Sequence, residues 1–134
     1  MKNKVLIIQA NYYKDISTAL LKSAKNELKN FAKINIISVP GVFEIPVVIS
    51  KNLKKYDGFV ALGCVIKGQT PHFDFISKST TDAIMNISVE SKKPIGNGII
   101  TCLNKNQAIA RGKKGREAAN AVKTILSLKN VTSL

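Results

Sequence analysis

The stretch Gly63-Cys64-Val65-Ile66-Lys67-Gly68-Gln69-Thr70-Pro71-His72-Phe73-Asp74-Phe75 concentrates the residues of this chain that could do chemistry. An apolar, β-rich run from Phe59 to Ile66 enters a polar turn and then a helix. Gly68 lets a ligand approach the backbone closely, and Pro71 suits the first position of a helix. His72, the one histidine of the chain, falls in the first helical turn. Unpaired N–H groups and the positive end of the helix dipole favour a bound anion there and disfavour an imidazolium. The spacing therefore predicts a neutral imidazole beside an anion, able to move protons. The alternative is a histidine that only caps the helix or meets solvent.

The elements that must position His72 alternate along the chain. Lys4 to Ala10 is a short, nearly continuous apolar run, the pattern of a parallel strand covered on both faces. After the loop Asn11-Tyr12-Tyr13-Lys14-Asp15, residues Ile16, Leu20, Ala24, Leu28 and Phe31 recur at helical spacing to about Ala32, with Asp15 as N-cap. Ile34 to Val39 is the second strand, stopped by Pro40-Gly41. Pro46 then opens a helix to about Leu53 that turns Val47, Val48 and Ile49 towards the core. The third strand leads into the central stretch, and Phe73, Ile76, Ala83, Ile84 and Ile87 mark the core face of the next helix. Pro94 to Thr101 is the fourth strand, where Gly96 and Gly98 point to a bulge or a close backbone approach. Asn104 with Gln107 resembles a capping box for a short helix ending at Arg111, with Gly112 as a left-handed cap. Lys113-Lys114-Gly115 separates it from a last helix carrying Ala118, Ala119, Val122, Ile125 and Leu126.

Four strands alternating with helices imply a single α/β domain over residues 1–134, with a four-stranded parallel sheet and helices on both faces. Ligands of such sheets bind outside the carboxyl ends of the strands. Tyr12, Val42-Phe43-Glu44, Lys67 to His72 and Asn97 fall at or near those ends. Tyr12 could meet a ligand or pack, and Glu44 could hold hydroxyls or serve as a dipole partner at a helix N-terminus.

Composition narrows the function classes. The chain has 134 residues, 45% hydrophobic and 22% charged, which is globular, and no apolar run approaches the roughly 20 residues that span a bilayer. The start Met1-Lys2-Asn3-Lys4 lacks the apolar region of a signal peptide, so a cytoplasmic protein is expected. Cys64 and Cys102 have neither metal-ligand spacing nor a CxxC pair and are expected to be reduced core thiols. The formal charge of +13 comes from scattered lysines without an aromatic ladder, which argues against nucleic acid and membrane partners.

Neither G-x-x-x-x-G-K-[ST] nor a strand-linked G-x-G-x-x-G is present, so the common nucleotide-phosphate loops have no support. The first strand ends Gln9-Ala10-Asn11, without the clustered carboxylates of a cation-dependent receiver. What remains is a metal-free site with one base, an anion-binding helix start, a carboxylate and an aromatic ring. It suits a phosphorylated small substrate meeting a planar polar one.

Three blocks make the pattern specific. Pro40-Gly41-Val42-Phe43-Glu44-Ile45-Pro46, Ala61 to Asp74, and Pro94-Ile95-Gly96-Asn97-Gly98-Ile99-Ile100-Thr101 resemble, in order, the hallmark blocks of the 6,7-dimethyl-8-ribityllumazine synthase family. The resemblance implies a flavodoxin-like three-layer sandwich. It also implies condensation of 5-amino-6-ribitylaminouracil with 3,4-dihydroxy-2-butanone 4-phosphate, the penultimate step of riboflavin synthesis, without metal or redox cofactor. By the same resemblance Tyr12 stacks on the pyrimidine, while Val42, Phe43, Glu44, Cys64, Val65 and Ile66 hold the ring and ribityl chain. Gln69, Thr70 and Arg111 bind phosphate, His72 transfers protons, and Asn97 lies beside the ring from a neighbouring subunit. A homopentamer with shared active sites is implied, alone or built into a capsid. Tyr12 stands where the family more often has Phe, Lys67 where it has Arg, and Asn97 where it has an aromatic residue. The Arg111 to Gly115 segment is shorter than the family pattern.

Overall fold

The computed structural model describes residues 3–68 and 72–128. The expected phosphate turn of Gln69 and Thr70, with Pro71, lies outside the described residues. The strands are β1 (Asn3–Ala10), β2 (Ala32–Val39), β3 (Gly58–Ile66) and β4 (Ile95–Cys102). The helices are α1 (Lys14–Leu28), α2 (Ile45–Lys51), α3 (His72–Ser91), α4 (Lys105–Ala110) and α5 (Lys114–Leu126), and a 3-10 turn at Val42–Glu44 leads into α2. All strand pairs are parallel, in the order β2-β1-β3-β4.

Period-two alternation divides the central strands between two cores. Val5, Ile7, Val60 and Leu62 face Ile16, Leu20, Ala24 and Leu28 of α1 and Ala118, Ala119 and Val122 of α5. Leu6, Ile8, Phe59 and Ala61 face Ile45 and Ile49 of α2 and Ile84 of α3. Each fully buried Leu or Ile contributes about 1.5–3 kcal/mol of apolar burial. Since both faces are covered, β1 and β3 read as continuous apolar runs, and the fold is the flavodoxin-like three-layer sandwich.

Several local expectations are corrected. The first helix stops at Leu28 rather than near Ala32, because Ala32 already opens β2 and pairs with Asn3. Tyr13, not Asp15, occupies the N-cap position of α1, and Asp15 lies in the first turn, where a carboxylate complements the dipole. In α2 the buried pair is Ile45 and Ile49, one turn apart, while Val47 faces solvent. Asn104 Oδ1 accepts from Gln107 N at 2.9 Å as a cap should, but Gln107 Oε1 accepts from Leu103 N at 2.8 Å rather than from Asn104.

Gly112 is not a left-handed cap: among the described residues no glycine has positive φ, and Lys92, just past α3, has φ 59°. After α4 the chain stays in turn conformation, Lys114 N donating to Arg111 O at 3.0 Å, so α5 begins at Lys114 and contains Gly115. Ile125 of α5 is about half exposed rather than core. The strand glycines of β4 mark a close approach, as expected: a Cβ at Gly96 would lie 2.1 Å from the Ala118 carbonyl oxygen of α5.

Candidate active site

The chain leaves β1 for β2 on one side and, from β2, crosses back over to β3 on the other side of β1, so the connections after β1 and β3 turn opposite ways and a crevice opens at the carboxyl ends of these two strands. Two contacts hold the loop on its β1 side. Asn11 N donates to Val39 O at 3.0 Å, and the buried Ser17 hydroxyl donates to Ala10 O at 2.6 Å. A cavity of about 700 Å³ fills the crevice, a size suited to a small-molecule ligand. Its wall comprises Ala10 ending β1, Tyr12 and Tyr13 after it, Gly41 to Glu44 before α2, Cys64 to Ile66 ending β3, and His72 and Ile76 of α3.

The floor depends on a missing side chain. A Cβ at Gly63 would lie 2.5 Å from Val42 Cγ1, so glycine is what lets Val42 seat against β3. Val42 is thereby buried while its neighbour Phe43 stays exposed at the rim. Glu44 Oε1 accepts from Gly41 N at 3.0 Å, and Glu44 N donates to Gly41 O at 3.3 Å, closing the turn on itself. The carboxylate is therefore both a brace for this turn and part of the wall. Tyr12 is 75% exposed, and its ring meets that of Tyr13 edge-to-face, with centroids 4.9 Å apart. Burial, followed by the neighbouring Tyr12 and Cys64, raises the Tyr13 phenol above its ordinary pKa, which keeps it protonated.

Eight of the expected residues converge here: Tyr12, Val42, Phe43, Glu44, Cys64, Val65, Ile66 and His72. Asn97 does not. It is the third residue of β4, level with Ala61, and so lies in the amino-terminal half of the strand rather than near its carboxyl end. The reason is that β4 continues through Thr101 to Cys102, beyond its glycines. Asn97 Oδ1 there accepts from Ile99 N at 3.0 Å. Arg111 does not line the cavity either. It follows α4 as its C-cap, and its Nη1 donates to Thr101 O at 3.1 Å and lies 3.9 Å from Cys102 Sγ, at the carboxyl end of β4.

Ala10, Tyr13, Gly41 and Ile76 belong to the wall without having been singled out from sequence for binding. Ala10 and Tyr13 flank the Asn11-Tyr12 loop, and Ile76 follows His72 by one helical turn, so adjacency to the chosen residues was the available signal.

Cys64 and Cys102 are both buried free thiols. Burial, and then the neighbouring Cys102, pushes the Cys64 thiol up to about 12. At pH 8 its thiolate fraction is then about 10⁻⁴, against about a quarter for an ordinary exposed cysteine. Alkylation of Cys64 by iodoacetamide at pH 8 is expected to run roughly 1,000-fold slower than that of free cysteine. Peptide mapping over time checks this, and comparable rates would contradict it.

A doubly wound parallel α/β sheet with a small-molecule cavity at its switch point defines the class of this protein. A family model for 6,7-dimethyl-8-ribityllumazine synthase matches residues 2–130. The 6,7-dimethyl-8-ribityllumazine synthase of Agrobacterium fabrum is 43% identical over 141 residues, covering 96% of this chain and 95% of the relative. That of Bartonella tribocorum is 44% identical over 137 residues, covering 96% and 91%. The 6,7-dimethyl-8-ribityllumazine synthase 1 of Rhodopseudomonas palustris is 42% identical over 139 residues, covering 94% and 85%. The chain belongs to the 6,7-dimethyl-8-ribityllumazine synthase family.

Proposed function

We propose that this chain condenses 5-amino-6-(D-ribitylamino)uracil with 3,4-dihydroxy-2-butanone 4-phosphate to 6,7-dimethyl-8-ribityllumazine, releasing phosphate and water. The observation that carries this reading is the convergence of Tyr12, Glu44, Cys64 to Ile66 and His72 on one cavity at the switch point of a chain in this family. The exposed Tyr12 ring offers a platform for the pyrimidine, and Val42, Phe43 and the end of β3 enclose the ribityl chain, with Glu44 accepting from its hydroxyls. Amine attack on the ketone, loss of water, loss of phosphate and ring closure each move a proton, the role given to His72. Gln69, Thr70 and Arg111 would take the phosphate, and holding two substrates in register supplies much of the acceleration.

Sharing of sites between subunits belongs to the same proposal. Arg111 and Asn97 stand apart from the cavity of their own chain, which supports their serving a neighbour's in a homopentamer, alone or within a capsid. A cytoplasmic setting fits two reduced thiols. Incubation with the two substrates, beside incubation with two molecules of the lumazine, tests the reading. Conversion of the second mixture alone would instead identify a riboflavin synthase, and steeply salt-dependent binding to nucleic acid without turnover would identify a basic binder.

Arg111 and Arg116 are the arginines of a chain that otherwise uses lysine for positive charge. A guanidinium grips two phosphate oxygens with a planar fork, whereas an ammonium is a point charge. Arg111→Lys is expected to raise KM for the ketose phosphate on the order of 10-fold, about 1.4 kcal/mol, with little effect on the pyrimidine. Arg116, exposed and 3.5 Å from Glu27 Oε1, is the control, because a lysine there keeps the pairing charge. Equal kinetics of the two variants would remove Arg111 from phosphate binding.

A further inference from the structure

We propose that Tyr13 is a positioning residue for the pyrimidine platform: it holds the exposed ring of Tyr12 in the orientation that stacks on the bound base. The inference rests on the proposed condensation, but its observations are local. A side chain as exposed as Tyr12 samples several rotamers, and one that must be immobilised on binding loses affinity through that ordering. Tyr13 limits the loss. Its own position is set from two sides: the backbone is the N-cap of α1, with Ser17 N donating to Tyr13 O at 2.9 Å, and the side chain packs against the buried cluster that includes Cys64 and Cys102.

From that anchored position its ring meets Tyr12 at 4.9 Å between centroids and 84° between planes. This is the edge-to-face geometry that aromatic quadrupoles favour, and it leaves at least one face of Tyr12 open for stacking. Both rings border the cavity. The ring, rather than the hydroxyl, carries the effect, since the contact with Tyr12 is between the two rings.

The test is steady-state kinetics of the assembled protein carrying Tyr13→Leu, Tyr13→Phe, Tyr12→Ala, and Tyr12→Ala with Tyr13→Leu. Tyr13→Leu is expected to raise KM for ribitylaminouracil about 3- to 10-fold, with kcat and KM for the ketose phosphate within twofold of wild type. Tyr13→Phe should behave as wild type. In the Tyr12→Ala background, Tyr13→Leu should add nothing, because the residue it positions is gone. Equal effects on both KM values, a Tyr13→Phe as impaired as Tyr13→Leu, or additivity with Tyr12→Ala would each overturn the proposal. If Tyr13→Leu fails to fold, Tyr13→Met fills the gap with a flexible chain and gives the same reading. A wild type that forms no lumazine would instead count against the proposed function. Calorimetric titration with 6,7-dimethyl-8-ribityllumazine then decides the Tyr13 question by the same pattern in Kd.

Discussion

Gly115→Ala and Gly96→Ala are each expected to lower stability by about 3 kcal/mol, at the upper end of what overpacking costs. A Cβ at Gly115 would lie 2.0 Å from the Leu20 carbonyl oxygen and 2.5 Å from Ser23 Oγ; one at Gly96 would lie 2.1 Å from the Ala118 carbonyl oxygen. Both carbonyls belong to helix backbones, so relief requires moving α1 or α5 bodily rather than turning a side chain. For Gly115 the better helix propensity of alanine returns only about 1 kcal/mol. Because α5 packs on both α1 and the sheet, either change loosens the layer that covers Val60 and Leu62. Gly68 is the control. A Cβ there meets nothing among the described residues within 4 Å, and Gly68→Ala should stay within about 0.5 kcal/mol. Denaturant unfolding at one fixed protein concentration checks all three. Wild-type stability of Gly115→Ala or Gly96→Ala would contradict the close packing of α5 on α1 or on β4.

His72→Ala is expected to lower turnover about 10- to 100-fold while leaving the fold intact. His72 is the first residue of α3, is exposed, and borders the same cavity as Tyr12 and Glu44, so its loss opens no hole in either core. The effect stays at or below the low end for a general acid–base group because the substrate phosphate and water can carry protons in its place. Turnover should be compared at saturating concentrations of both substrates, where a binding defect no longer contributes. An unchanged kcat would remove His72 from proton transfer and leave orientation of the substrates as its contribution.

The residues that proved legible from sequence are those whose position follows from short-range pattern. Val5 to Ile8 and Phe59 to Leu62 announce two-sided burial by being apolar without alternation, and Ile16, Leu20, Ala24 and Leu28 fall on one face by spacing alone. Once the sheet is parallel, the loops after β1 and β3 and the turn before α2 must meet, which is why Tyr12, Glu44 and His72 were found together. What stayed hidden depends on long-range packing. Asn97 looked close to a strand end because its glycines resemble punctuation, whereas Gly96 admits the backbone of α5, Gly98 makes room for the Leu62 side chain, and the strand runs on to Cys102. Gly112 permits a left-handed cap without requiring one, and the turn into α5 does not use it. The contact of Arg111 with Thr101 O and the angle between Tyr12 and Tyr13 arise only once helices and sheet are in place.

Following phosphate release and lumazine formation in one reaction mixture tests the central claim most directly. With both substrates present, one phosphate should appear for each 6,7-dimethyl-8-ribityllumazine formed, and omitting the ribitylaminouracil should stop enzyme-dependent release. Phosphate liberated from the ketose phosphate alone, or both substrates left unconverted by folded protein, would contradict it.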